Sequence, residues 1–255
     1  MKYFSDFQYD VDPEEIAKTL SELSSSFPGM PEREDLQFLF NVLDLTSLNE
    51  TDNADSIGKV CDQINLLTES YPELPSPAAF CIYPDLVAIA RAKLNNPLVN
   101  IVSAGGGFPS SQTFIEVKLK EIEMLVEAGV DEVDIVLPVG KFMLGLYDEV
   151  FSEIYMIKEE LGALLLKVII ETSSHNSLSD IRKASLLAMD AGADFIKTST
   201  GKAAGGAEPE SFLVMCQSIR DFYSKTGKKV GIKPAGGISN IESAFIFSQI
   251  VKNVL

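Results

Sequence analysis

The chain has 255 residues, 46% apolar and 23% charged, a balance that supports a packed core and excludes a disordered chain. Its net charge of −16 leaves no basic excess to offset phosphates, which argues against nucleic acid or an anionic membrane as a partner. No run approaches the roughly 18 apolar residues of a membrane helix. The acidic start, with Asp6, Asp10, Asp12, Glu14 and Glu15, does not read as a secretory signal. Cys61, Cys81 and Cys216 are widely spaced without a Cys-x-x-Cys pair and read as reduced thiols of a cytosolic protein. One histidine, His175, sits in the polar stretch 173–177. It cannot build a multi-histidine metal site and is expected to be solvated.

Residues 12–40 read as two helices. Asp12 is the predicted N-cap and Pro13 lies in the first turn, while Phe27-Pro-Gly-Met-Pro31 separates the pair. The domain reading is therefore a helical extension over 1–40 and a main domain over 41–255. From residue 42 onward, short apolar runs rich in Ile and Val fall at 42–45, 79–83, 99–104, 133–137, 164–170, 194–198 and 230–233. These are predicted to be buried parallel strands. Between them, 113–128 is predicted as a helix with Ile115, Leu119, Ile122, Leu125 and Val126 on its buried face and Gly129 as its cap. Residues 178–191, followed by Gly192, repeat the pattern. The run Gly105-Gly-Gly107 is read as a flexible turn, and no Gly-x-Gly-x-x-Gly opens a helix after the first strand, which disfavours a dinucleotide fold.

Polar residues embedded in these runs form a ruler: Asp44, Asp134, Lys167, Lys197 and Lys233, the last four separated by 33, 30 and 36 residues. Each step is one βα unit, so the side chains recur at similar heights on successive strands. An open sheet would string them in a row, whereas a closed α/β barrel brings them to one central pocket. Lys197, between Ile196 and Thr198 at the end of its run, is the candidate nucleophile. Burial, with Lys233 as a neighbouring cation, is expected to depress its pKa toward a neutral amine able to attack a carbonyl. Asp134 is the candidate proton carrier and Lys167 its expected ion-pair partner.

The segments Lys197-Thr-Ser-Thr-Gly-Lys202, Gly231-Ile-Lys-Pro-Ala-Gly-Gly237, Asp131-Glu-Val-Asp134, Leu165-Leu-Lys-Val-Ile-Ile-Glu171, Cys81-Ile-Tyr-Pro84 and Asp44-Leu-Thr46 together resemble the deoxyribose-phosphate aldolase family. The resemblance runs in order from about residue 39 to 239. It implies a (β/α)8 TIM-type barrel behind an N-terminal helical addition. The implied activity is that of a class I aldolase, interconverting 2-deoxyribose 5-phosphate with acetaldehyde and glyceraldehyde 3-phosphate in deoxynucleoside catabolism. No metal or cofactor is needed, and the partner is a small phosphorylated sugar, with a homodimer left open. Carried over by motif, Lys197 forms the Schiff base, Lys233 lowers its pKa and Asp134 moves protons. Lys167, Asp44 and Thr46 fall in the surrounding polar network, with Cys81 lining the second strand. Phosphate binding is expected at Thr200, Gly201 and Lys202 and at Gly236 and Gly237. There the run Ser239-Asn-Ile-Glu242 reads as a capping box opening a helix.

Two features depart from the family. Gly107 stands where the family carries Asn before Phe-Pro, and the sequence ends at Leu255 without the eighth strand and its Gly-x-Ser-Ser type turn. A seven-stranded barrel with two unpaired edges is therefore expected. Two other readings stay open: a catalytically silent barrel used for binding or regulation, and a lysine aldolase of different donor specificity.

Overall fold

Two-residue periodicity sorts the strand side chains into two environments. In the computed structural model, which describes residues 2, 4–27 and 29–255, the strands are β1 (Asp44–Thr46), β2 (Ala79–Ile82), β3 (Asn100–Ala104), β4 (Glu132–Val136), β5 (Leu165–Ile169), β6 (Phe195–Lys197) and β7 (Gly231–Lys233). They pair in parallel and in chain order, giving a curled half-barrel. Alternate residues Phe80, Ile82, Ile101, Val133, Ile135, Leu166, Val168 and Ile196 point outward into one continuous core with the helices. The intervening positions of β2 and β3, with Leu48, form a second, inner cluster of Ala79, Cys81, Val102 and Ala104. These are mostly small side chains. They leave room on the inner face for the charged residues carried by β1 and β4–β7.

The four helices read from the sequence, two within 12–40 and one each near 113–128 and 178–191, are present among those of the structure. The helices are α1 (Pro13–Ser25), α2 (Arg33–Asn41), α3 (Ala54–Ser70), α4 (Val87–Lys93), α5 (Ile115–Ala128), α6 (Val139–Met143), α7 (Tyr147–Leu161), α8 (Leu178–Asp190), α9 (Pro209–Thr226) and α10 (Ile241–Val254). Asp12 caps α1 by accepting from Glu14 N at 2.9 Å, and Gly129 ends α5 in the left-handed region. Pro28, inside the predicted helix break, lies outside the described residues. Phe4 and Ile16 join the main core, so the N-terminal segment packs with the barrel rather than beside it.

Three local expectations are corrected. On α5, Val126 is exposed and Lys118 is buried instead, because Lys118 Nζ reaches Glu153 at 2.7 Å and Ser111 at 2.7 Å. His175 is not solvated: its Nε2 lies 3.0 Å from Ile170 O, and its ring meets Phe142 edge-on. The first strand begins at Asp44, since Val42 terminates α2.

Among the described residues no backbone ladder joins β7 to β1. The seam is crossed by side chains. Lys233 Nζ, on the last residue of β7, donates to Val42 O at 2.8 Å and pairs with Asp44 Oδ1 at 2.8 Å.

Candidate functional site

Register converts the sequence ruler into a compact constellation. Asp134 on β4 lies opposite Lys167 on β5, which lies opposite Phe195 on β6. Lys197 lies opposite Lys233 across β6 and β7. Phe195 and Lys197 are two apart, so both face inward. Gly231, opposite Phe195, is required there because a Cβ would run into the Phe195 ring. That ring in turn sits 5.9 Å from Lys167 Nζ, a cation–π distance.

The charged groups form an alternating relay. Lys197 Nζ donates to Asp134 Oδ2 at 2.6 Å, and both residues are buried. Lys167 Nζ lies 3.3 Å from Asp134 Oδ1, an ionic contact rather than an aligned hydrogen bond, and 3.9 Å from Asp44 Oδ2. It donates closely to Glu132 Oε2. Asp44 then pairs with Lys233. Three lysines thus face three carboxylates, and matched opposite charges are the condition for holding ions in a dry interior.

This pairing overturns the expected depression of Lys197. Burial does press its pKa downward, but the Asp134 carboxylate at 2.6 Å outweighs it and raises the pKa above the ordinary lysine value. Lys167, rather than Lys233, is the cation that opposes the rise. Burial likewise works to raise Asp134, yet Lys197 and Lys167 together hold it below the usual carboxylate range. Lys167 is raised against the pull of burial by Asp134, Asp44 and Glu132.

A cavity of about 770 Å³ opens beside this relay, between β1 and β7 and the α2 and α10 helices. It is lined by Asp44, Thr46, Lys197, Thr200, Gly201, Lys202, Lys233, Gly236 and Gly237. Asp134, Lys167 and Cys81 lie beneath it, with the Cys81 thiol pushed up to about 12 by burial and then by the Asp134 charge. The backbone N–H groups of Gly201, Gly236 and Gly237 take no protein partner among the described residues. Gly206 packs so tightly on the Gly236 carbonyl that a Cβ would collide with it, which fixes the two glycine loops side by side. Lys202 Nζ donates to Leu48 O.

Two predicted site residues sit differently from the expectation. Thr46 lines the cavity only at its exposed rim, with its hydroxyl donating to Asp44 O at 3.2 Å, outside the lysine network. Ser239 is exposed and does not line the cavity, and the Ser239–Glu242 box does not form. The N-cap of α10 is Asn240, whose Oδ1 accepts from Ser243 N at 2.8 Å. The sequence reading also missed Glu132. Its two-residue spacing from Asp134 on the same strand was the available signal.

The fold is an α/β half-barrel of parallel strands with a buried charge relay on its inner face. Residues 38–254 match the DeoC/LacD family aldolase description, and the chain belongs to that family. It is 37% identical over 224 residues to the deoxyribose-phosphate aldolase of Agrobacterium fabrum, covering 88% of this chain and 83% of that one. It is 35% identical over 223 residues to the deoxyribose-phosphate aldolase of Bos taurus, covering 84% of this chain and 70% of that one. The fold is similar to the tetrameric deoxyribose phosphate aldolase structure from Aeropyrum pernix, with a TM-score of 0.68 at 22% identity over 92% of this chain and 90% of that one. Among the described residues no helix is long and apolar enough to cross a membrane.

Proposed function

We propose that this aldolase cleaves 2-deoxyribose 5-phosphate to acetaldehyde and glyceraldehyde 3-phosphate through a Schiff base on Lys197, serving deoxynucleoside breakdown. The observation that carries the reading is the buried Lys197–Asp134 pair, 2.6 Å apart, at the edge of a cavity reached by Lys233 and three glycine N–H groups.

Lys197 is held as an ammonium, so attack begins with proton transfer to Asp134, directly along their hydrogen bond or through one water. The free amine adds to the aldehyde carbon, and loss of water leaves an iminium. Asp134 gives its proton to that departing water, and cleavage of the bond between the second and third carbons then places its electron pair in an enamine, as the 3-hydroxyl passes its proton to the Asp134 carboxylate, directly or through one water, and becomes the aldehyde of the triose phosphate. Protonation of the enamine and hydrolysis release acetaldehyde and restore Lys197. Lys167 and Asp44 link the Asp134 pair to Lys233, so a proton shift at one end alters the field at the other. The phosphate is placed at the N–H groups of Gly201, Gly236 and Gly237, with Lys202 on the rim supplying charge.

A coupled assay that reduces the released triose phosphate tests the reading. Turnover by the native chain and none by Lys197→Ala supports it. Equal rates with the two proteins, or preference for pyruvate over acetaldehyde as donor in the synthetic direction, overturns it.

A further inference from the structure

Glu171 follows β5 directly and has a φ of 57°, in the left-handed region that non-glycine residues rarely occupy outside constrained sites. It is 5% exposed. Its Oε2 accepts from Thr200 Oγ1 at 2.6 Å and from Thr200 N at 3.3 Å. Thr200 Oγ1 in turn accepts from Lys202 N at 3.0 Å. The carboxylate oxygen therefore fixes Thr200 at the head of the turn, and Thr200 Oγ1 carries the tie to Lys202 N at its other end, leaving the Gly201 N–H between them without a protein partner among the described residues. Oε1 is buried and finds no hydrogen-bond partner among the described residues. A carboxylate only accepts, so both Thr200 donors are drawn inward and the hydroxyl lone pairs are left to face Lys202 N–H. Around this tie the loop is clamped: Thr172 N donates to Thr198 O at 2.9 Å, Gly205 sits against Ser173, and Ala207 N donates to Gly236 O at 3.0 Å.

We propose that Glu171 is a positioning residue for the anion-binding turn 200–202, setting the Gly201 N–H toward the phosphate of the substrate; this rests on the functional reading above. Glu171 touches neither the substrate nor Lys197. It acts through Thr200.

The test compares Glu171→Ala, Glu171→Gln and, as a matched destabilised control in the distant core, Ile154→Ala. Two readouts are taken: kcat and KM for 2-deoxyribose 5-phosphate, and backbone amide exchange of segment 198–207 in the protein alone. Removing the charge-assisted tie should raise KM by about tenfold or more while kcat stays within about threefold. Exchange in the segment should quicken, and Glu171→Gln, which keeps an acceptor for Thr200, should restore most of both. A fall in kcat with unchanged KM, the same KM rise in Ile154→Ala, or unaltered exchange in Glu171→Ala overturns the proposal. Should the native chain not turn over the sugar phosphate at all, the functional reading fails, and the exchange comparison alone decides whether Glu171 holds the turn.

Discussion

Asp134→Asn perturbs the centre of the relay without changing its volume. Asp134 is 1% exposed, and among the described residues Lys197 has no other carboxylate within ion-pair distance, whereas Lys167 keeps Glu132 and Asp44. The penalty therefore falls on Lys197. Stranding one member of a buried pair costs about 3–5 kcal/mol. Lys197 can escape by losing its proton, and neutralising an ordinary lysine of pKa 10.5 at pH 7 costs about 5 kcal/mol at about 1.36 kcal/mol per unit. The two routes agree on the size of the loss.

The pH dependence gives the sign. In the native protein the Lys197 pKa lies above 10.5, so its contribution is complete below that value and is lost as pH rises through the folded one. In Asp134→Asn, burial is the dominant influence left, and the folded pKa falls below the unfolded one. The unfolded state then binds more protons, and the variant gains stability as pH rises. Urea unfolding should show a deficit of about 3–5 kcal/mol at pH 7 that narrows toward pH 10. An unchanged midpoint at pH 7, or a gap that widens with pH, would refute the electrostatic account.

Lys233→Leu should lower the thermal midpoint more than it shifts the pH–rate profile, because the Lys233 ammonium, although on the residue opposite Lys197, is turned to Val42 O and Asp44 and ties β7 to them; a large alkaline shift would restore direct coupling to Lys197. Lys118→Met should act on stability alone: Glu153 keeps Lys141 at 2.6 Å, so losing the buried Lys118 partner is expected to destabilise by about 1.5–3 kcal/mol while kcat/KM of the folded protein holds. Cys81, with a thiol pushed up to about 12, should resist iodoacetamide at pH 8 in the native protein and react only on unfolding.

Strand positions were legible because their inner and outer faces differ so sharply in chemistry. Val133, Ile135, Leu166 and Val168 are apolar toward the helices, while Asp134 and Lys167 stand out between them. The lysine ruler worked for the same reason, since each βα unit repeats the geometry. Pairing was not legible. Sequence spacing cannot show that Asp134 reaches Lys197 at 2.6 Å while Lys233 turns to Asp44, and on that choice hangs the direction of the Lys197 shift. Glu171 escaped notice because its role depends on a left-handed backbone and a contact 29 residues away, neither of which periodicity encodes. The shift of the α10 cap from Ser239 to Asn240 is a choice between adjacent residues of similar capping strength.

The central claim is that Lys197 forms the covalent intermediate. Borohydride added with 2-deoxyribose 5-phosphate or acetaldehyde should reduce the iminium and leave an adduct on the peptide containing Lys197, located by fragment masses, and absent from Lys197→Ala. An adduct on Lys233 or Lys167 in the native chain, or full turnover with no adduct on any lysine, would contradict the account.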